Sequence, residues 1–300
     1  MRILVTGSSG FIGRSLVGKL LESYENREIL GVDLRTENKA IQEITGSLVD
    51  LSVTQKIIEF NPNVVVHLAA QTDVNKSLTN PSIDGTQNYV GTACLIESLR
   101  QTECTKIIFT NSGGAIYGES HDIPASEIDP VRPISPYGIS KFASEQLLEL
   151  FCKNNGLLFV SLRLSNVYGP GNKQNVLSEI TKSVLTGSPF VVYGDGQSTR
   201  DYIHINDVVA AILIALTSNV GGIFNLSSGT ETSIRELIAE INTLTDSPVR
   251  ITYTDKRIGD IQRSALDNKK IQNEFGWRPS ISLAEGLKQL YDDPLSNSQE

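Results

Sequence analysis

The chain has 300 residues, a formal net charge of −8 and 39% hydrophobic residues, enough to bury a sizeable core without disulfide or metal staples. The acidic balance argues against nucleic acid as a partner. The longest apolar run, Val208 to Leu216, is too short to cross a bilayer, and residues 1–6 read as a strand rather than a secretory signal. No membrane association is expected, and the expected location is cytoplasmic. Three cysteines (Cys94, Cys104, Cys152) show no paired spacing, and three histidines (His67, His121, His204) stand singly. Neither a disulfide framework nor a metal site is expected.

In chain order, Arg2-Ile3-Leu4-Val5-Thr6 reads as a buried parallel strand. It enters Gly7-Ser8-Ser9-Gly10-Phe11-Ile12-Gly13, and a helical pattern follows through Leu16, Val17, Leu20 and Leu21. Strand, glycine turn and helix in that order make a dinucleotide motif credible. The glycines permit a tight turn and let backbone approach a pyrophosphate at the helix N-terminus. The spacing is G-x-x-G-x-x-G rather than G-x-G-x-x-G. Ile29-Leu30-Gly31-Val32-Asp33 reads as a second strand ending in a carboxylate, 20 residues after Gly13. An acid there bonds both ribose hydroxyls and repels a 2′-phosphate, so NAD is the expected cofactor. Arg35 nearby leaves an NADP reading open.

The alternation continues with a strand at Val64-Val65-Val66-His67-Leu68, a helix from Thr86 to Arg100, a strand from Lys106 to Thr110, a helix from Pro136 to Asn155 and a strand from Leu158 to Leu164. This predicts an α/β fold with a Rossmann-like, doubly wound parallel sheet. Ligands bind outside the carboxyl ends of such strands. Gly7 to Gly13, Asp33, Leu68-Ala69-Ala70 and Asn111-Ser112-Gly113-Gly114 fall there. Past Gly169-Pro170-Gly171, short strands (Phe190 to Tyr193, Thr199 to Ile203) mix with helices (Asp207–Thr217, Ser233–Thr243, Leu283–Tyr291). The expected division is a cofactor-binding domain at 1–168 and a smaller mixed α/β lobe at 169–300, mainly for substrate. The last residues, Ser296 to Glu300, are polar and expected to fray.

Tyr137 and Lys141 stand four apart in Ser135-Pro136-Tyr137-Gly138-Ile139-Ser140-Lys141, so a helix there makes them neighbours on one face. A fixed cation favours the phenolate, which is how a tyrosine with a pKa of about 10 becomes an acid/base group near neutral pH. The spacing alone is common on amphipathic helices; the glycine loop upstream gives it weight.

Together these residues resemble the extended short-chain dehydrogenase/reductases, in the nucleotide-sugar epimerase and dehydratase branch, and within it the UDP-hexose 4-epimerases. The resemblance runs from Met1 to about Leu290. Thr6-Gly7-Ser8-Ser9-Gly10-Phe11-Ile12-Gly13 is similar to the family's nucleotide loop, and His67-Leu68-Ala69-Ala70 to the strand end against the cofactor. Asn88-Tyr89-Val90-Gly91-Thr92 resembles the segment whose Asn shapes the active site. Asp50, with Leu51 after it, resembles the acid that meets the adenine. Tyr137 and Lys141 match the catalytic pair. In the second lobe, Tyr193-Gly194-Asp195-Gly196, Arg200-Asp201-Tyr202-Ile203-His204 and Arg257-Ile258-Gly259-Asp260 resemble substrate-binding segments. The resemblance implies that Arg200 and Arg257 grip a diphosphate and that Asn166 contacts the nucleotide. Guanidinium forks suit phosphate oxygens, and an acidic protein binding a dianion must concentrate positive charge locally. The other reading of both arginines is surface ion pairing with Asp201, Asp255 or Asp260.

The chain departs from the pattern at Gly113, where many relatives carry the hydroxyl that bonds the sugar 4-oxygen. Ser112, one residue earlier, is the expected replacement, with a water as the other reading. Gly113 and Gly114 also lack the acids that related dehydratases and decarboxylases place here, which disfavours dehydration. Ser264 matches a position where a small residue admits an N-acetyl group. The resemblance therefore implies NAD-dependent 4-epimerisation of a UDP-hexose, plain or N-acetylated. Tyr137 acts as acid/base, Lys141 keeps it acidic, and the cofactor stays bound while the 4-keto sugar turns over. The alternatives are a nucleotide-4-keto-sugar reductase, an epimerase of a GDP- or dTDP-sugar, and a non-catalytic NAD-binding regulator. A homodimer is expected, pairing through Thr86–Arg100 and Pro136–Asn155.

Overall fold

The computed structural model describes residues 1–23, 27–36, 40–119, 122–172, 175–256 and 261–292. The first half runs β1 (Arg2–Thr6), α1 (Phe11–Ser23), β2 (Glu28–Asp33), β3 (Gln42–Thr45), α2 (Leu51–Phe60) and β4 (Val64–His67). Then come α3 (Val74–Thr79), α4 (Pro81–Gly85), a π-helical turn (Thr86–Val90), α5 (Gly91–Leu99), β5 (Lys106–Ser112) and α6 (Gly113–Tyr117). The expected Thr86–Arg100 helix is this π turn running on into α5. Next are α7 (Pro136–Asn155), β6 (Leu158–Leu164), β7 (Asn166–Tyr168) and α8 (Val176–Thr186). The remainder is β8 (Phe190–Tyr193), β9 (Thr199–His204), α9 (Ile205–Thr217), β10 (Gly222–Leu226), β11 (Glu231–Ser233), α10 (Ile234–Thr243), β12 (Ile251–Thr254), α11 (Lys269–Phe275) and α12 (Leu283–Asp292).

Seven strands form one sheet in the order β10-β6-β5-β4-β1-β2-β3, every pair parallel. The order reverses between β1 and β4, which opens a crevice at the carboxyl ends of those strands. Side chains alternate across the sheet as the pleat requires. Ile3, Val5, Val64, Val66 and Ile108 pack on the face covered by α1 and α9. Leu4, Val65, Ile107 and Phe109 pack on the other, covered by α2, α5 and α7. Because both faces are covered, the strands read in sequence as unbroken apolar runs.

The smaller lobe holds a three-stranded sheet, β11-β9-β7, and a two-stranded one, β12-β8. Its core gathers Leu177, Ile180, Phe190, Leu237, Ile241 and Leu287. The expected division after residue 168 does not separate two bodies. Beyond it, α9 contributes Val208, Ala211, Ile212 and Ala215 to the large-sheet core, and β10 pairs with β6 as the seventh strand. Lys106 reinforces this return: its Nζ donates to the carbonyls of Ala215 (3.0 Å), Leu216 (2.9 Å) and Ser218 (2.6 Å), closing the C-terminal end of α9.

The long helix α7 starts and stops where local chemistry dictates. Ser135 accepts from Gly138 N, Pro136 takes the first turn, and Gly156 ends the helix at φ +69°. Its inner face carries Glu145, which forms a buried two-point ion pair with Arg163 of β6: Nη2 to Oε1 at 2.6 Å and Nε to Oε2 at 3.1 Å. Asn111 and Ser161 also donate to Glu145 Oε2. Arg163 Nη1 donates to the Tyr117 hydroxyl, which donates to Asn225 on β10. Removing one partner of such a pair leaves an uncompensated buried charge. Arg163→Met should therefore lose about 3–5 kcal/mol of stability in urea unfolding, with part recovered when Glu145→Gln is added.

Candidate active site

A cleft of about 1120 Å³ runs along the carboxyl ends of the sheet and is walled by both lobes. At one end, Gly7 adopts φ +73°, and a Cβ there would lie 2.8 Å from Ala69 N. A Cβ on Gly13 would lie 2.0 Å from Gly7 O, so the turn and the first turn of α1 are in backbone contact. The first N–H groups of a helix have no intrahelical acceptor, and here Phe11, Ile12 and Gly13 line the cleft. That makes an anion cradle. Asp33 stands beside it at the end of β2, its Oδ2 accepting from Ser9 N at 3.0 Å. Turn, helix start and acid thus fit a dinucleotide.

Gly7, Gly10, Phe11, Ile12, Gly13, Asp33, Leu68, Ala69 and Ala70 all line this cleft. Asp50 and Leu51 do not. Asp50 turns back to accept from Ser47 N at 2.8 Å, and Leu51 is 87% exposed at the start of α2; Gly46, Ser47 and Leu48 form that wall instead. Asn88 is also absent from the lining, being 2% exposed. Its Oδ1 accepts from Gln71 N, and its Nδ2 donates toward Gln71 O, Asp84 Oδ1 and Ser140 Oγ. It shapes the site from behind, by holding the backbone that follows β4.

Tyr137, Lys141 and Ser112 all line the cleft, with Tyr137 hydrogen-bonded to Ser112. Successive turns of α7 carry the first two, and Ser112 ends β5. The expectation that Lys141 lowers the phenol is corrected here. Burial pushes Tyr137 up to about 12; hydrogen bonding with Ser112 opposes this, and the charge of Asp84 adds to it. Lys141 is itself pushed down to about 7 by burial, against the charges of Glu145 and Asp84. Its Nζ lies 4.1 Å from the centre of the Phe109 ring, so an aromatic face supports the ammonium. Both members of the pair are desolvated, and burial is the largest influence on each.

Asn166, Tyr193 and Arg200 also line the cleft. Asn166 Nδ2 donates to Asp201 O at 3.1 Å, and Arg200 Nη1 to Thr199 O at 2.8 Å. Asp201 is fully buried and accepts from Ser228 N, Ser228 Oγ and Gly229 N. That role as a staple rules out the reading in which it pairs with Arg200 at the surface. Arg257 and Asp260 lie outside the described residues. Ser264 is not part of the lining; its Oγ would be 3.2 Å from a Cβ on Gly114, while Leu266 presses on Gly113. The two glycines therefore seat the 264–266 segment beside Ser112. Sequence reasoning missed Gln71, Asn172, Asn175 and Glu179, which also line the cleft. The turn after Gly169-Pro170-Gly171 was the available signal for the asparagines.

Among the described residues no three His, Cys, Asp or Glu side chains gather to hold a metal ion, and no helix is long and apolar enough to cross a membrane. His67 lies under the site, 1% exposed. Its Nδ1 is 2.7 Å from Thr6 Oγ1 and its Nε2 2.9 Å from Thr92 Oγ1, whose proton goes to Asn88 O. The ring is thus neutral with the proton on Nε2. Burial, with the Lys141 charge adding, pushes its pKa from 6.5 to about 3. Between those values the unfolded chain binds a proton that the folded chain refuses, so stability falls as pH falls through this window. The loss from this group should reach about 2 kcal/mol between pH 6.5 and roughly pH 5. Urea unfolding of His67→Gln across that range should show a correspondingly shallower acid slope than wild type.

Residues 3–227 match the model of the NAD dependent epimerase/dehydratase family. The chain is 36% identical over 315 residues to a UDP-glucose 4-epimerase of Mycolicibacterium smegmatis, covering 100% of both. It is similar to the crystal structure of UDP-glucose 4-epimerase with UDP-glucose from Thermotoga maritima: TM-score 0.93, 35% identity, 97% of this chain and 98% of that one. The UDP-glucose 4-epimerase of Thermus thermophilus in complex with NAD gives a TM-score of 0.91 at 34% identity, with coverage of 97% and 98%.

Proposed function

This chain belongs to the NAD dependent epimerase/dehydratase family, and from that premise we propose that it interconverts the C4 epimers of a UDP-hexose, with Tyr137 as the acid/base. NAD is its cofactor. The observation that carries the reading is that Tyr137, Lys141 and Ser112 line one cleft with the glycine turn and Asp33. The turn at Gly7–Gly13 and the start of α1 would hold the pyrophosphate, Asp33 a ribose, and Lys141 the nicotinamide side. Bound there, NAD would supply hydride transfer at the sugar C4, to and from opposite faces of that carbon.

The residues of the chain handle the proton. Tyr137 takes it from the 4-hydroxyl as that carbon becomes a ketone, and gives it back when the carbon is reduced. Ser112 favours the phenolate by hydrogen bonding and so replaces the hydroxyl that Gly113 lacks. Lys141, when charged, favours the same form. Asn166, Tyr193, Arg200 and Arg257 hold the nucleotide diphosphate, and the sugar turns over while that grip persists. Ser264, although outside the cleft lining, packs against Gly114, and a small residue there keeps N-acetylhexosamines among the proposed substrates.

The protein should purify with NAD bound, detectable after acid release, and should equilibrate UDP-glucose with UDP-galactose or their N-acetyl counterparts. Failure to interconvert either pair would refute the assignment. Tyr137→Phe should lose at least ~100-fold in kcat. A homodimer is part of the same proposal. Ile139 (56%) and Leu150 (58%) are exposed eleven residues apart on one side of α7, near exposed Tyr89 and Val90. Light scattering should give twice the chain mass, and Leu150→Glu should halve it.

A further inference from the structure

Asp84 of α4 is 1% exposed. Three donors converge on its two oxygens: Gln71 Nε2 at 2.9 Å and Asn88 Nδ2 at 3.2 Å on Oδ1, and Ser140 Oγ at 2.6 Å on Oδ2. All three are neutral amides or a hydroxyl, so hydrogen bonding is satisfied while no direct partner cancels the charge. Ser140 precedes Lys141 in the chain, and its Oγ is also 3.0 Å from Tyr137 O. The carboxylate is therefore fastened to the turn of α7 that carries both reacting side chains. In a buried site an uncancelled charge acts strongly on its neighbours.

We propose that Asp84 is a positioning residue of this site: a buried negative charge, locked in place by Gln71, Asn88 and Ser140, that keeps the Lys141 ammonium charged beside the reacting phenol. The proposal rests on the reading of Tyr137 and Lys141 as the acid/base pair. The groups facing Lys141 are Glu145 from its own helix, Asp84 from α4, His67 from β4 and the Phe109 ring from β5. Glu145 is held in its ion pair with Arg163, and His67 is neutral. Asp84 is the acid in that set with no cationic partner of its own. The Glu145 charge is the larger one opposing the burial that drives Lys141 toward neutrality; the Asp84 charge acts in the same sense, and it also raises the phenol. Deleting it should thus move both titrations toward acid together, which sets the pH window of the enzyme. Gln71 extends the device to the cofactor side. Its amide bonds Asp84 and Asp73 O, and its backbone is gripped by Asn88.

The test is an NMR titration of protein labelled with ¹³C at the lysine ε-carbon, the Lys141 signal being assigned by its loss in Lys141→Met. In Asp84→Asn the Lys141 midpoint should fall by about one pH unit relative to wild type, and both limbs of the kcat/KM profile for epimerisation should move the same way. Ser140→Ala removes one donor and keeps the charge, so its Lys141 midpoint should fall by much less than in Asp84→Asn. Should Asp84→Asn misfold, Asp84→Ser deletes the same charge from a smaller side chain. An unchanged Lys141 midpoint in the charge-deleted variant overturns the proposal, as does an equal shift in Ser140→Ala. A shifted midpoint in a protein that epimerises no sugar supports the role of Asp84 and overturns the epimerase reading instead.

Discussion

The geometry of this molecule hangs on the ion pair between Glu145 and Arg163. Glu145 lies four residues beyond Lys141 and eight beyond Tyr137 on the same helix, so fixing its carboxylate fixes the rotation of that helix about its axis. Two charges taken out of water are costly, and the cost is offset only when every lone pair finds a donor. Arg163, Asn111 and Ser161 supply those donors, and the far side of Arg163 is satisfied by Tyr117. An apolar pair of similar volume could pack as well, but it would leave the helix free to slip. Here the polar network selects one orientation, and with it the direction in which the phenol points.

A second consequence of burying so much polar chemistry is electrostatic. Tyr137 and Lys141 in the cleft wall and His67 beneath it all have their charged forms disfavoured by burial, and Glu145 and Asp84 act against that tendency on the lysine. The acid/base behaviour of the pair belongs to the whole cluster, including side chains that never reach the cleft. The glycine turn does analogous work by steric means, since backbone contact between Gly7 and Gly13 leaves no room for a side chain.

Much of this was legible in the sequence, and the reasons are physical. Parallel strands covered on both faces must be apolar throughout, so Val64 to His67 and Lys106 to Thr110 announce themselves. Tyr137 and Lys141 share a face because helical spacing requires it. What stayed hidden depends on contacts between distant residues. The role of Asp84 comes from Gln71, Asn88 and Ser140, and a single acid in a five-residue helix carries no periodic signal for that. Asp50 and Leu51 followed the expected strand-to-helix rhythm, yet the tight turn before α2 directs one into its own backbone and the other into solvent. The rise of the phenol, contrary to the simple lysine argument, needed the burial of both partners to be known. The seventh strand is equally invisible locally, because a short run such as Gly222 to Leu226 does not say which sheet it joins.

That seventh strand has a bearing on how the protein is made. β6 sits at the rim of the sheet until β10 arrives, and its row of backbone groups is an open invitation to pair with whatever passes. On the ribosome, the chain must emerge as far as residue 226 before that strand is free to cover it. The nascent nucleotide-binding half therefore spends its first seconds with one raw margin. The chain shields its own earlier work only by returning from the later lobe, so translation speed through residues 169–226 sets how long that margin stays bare.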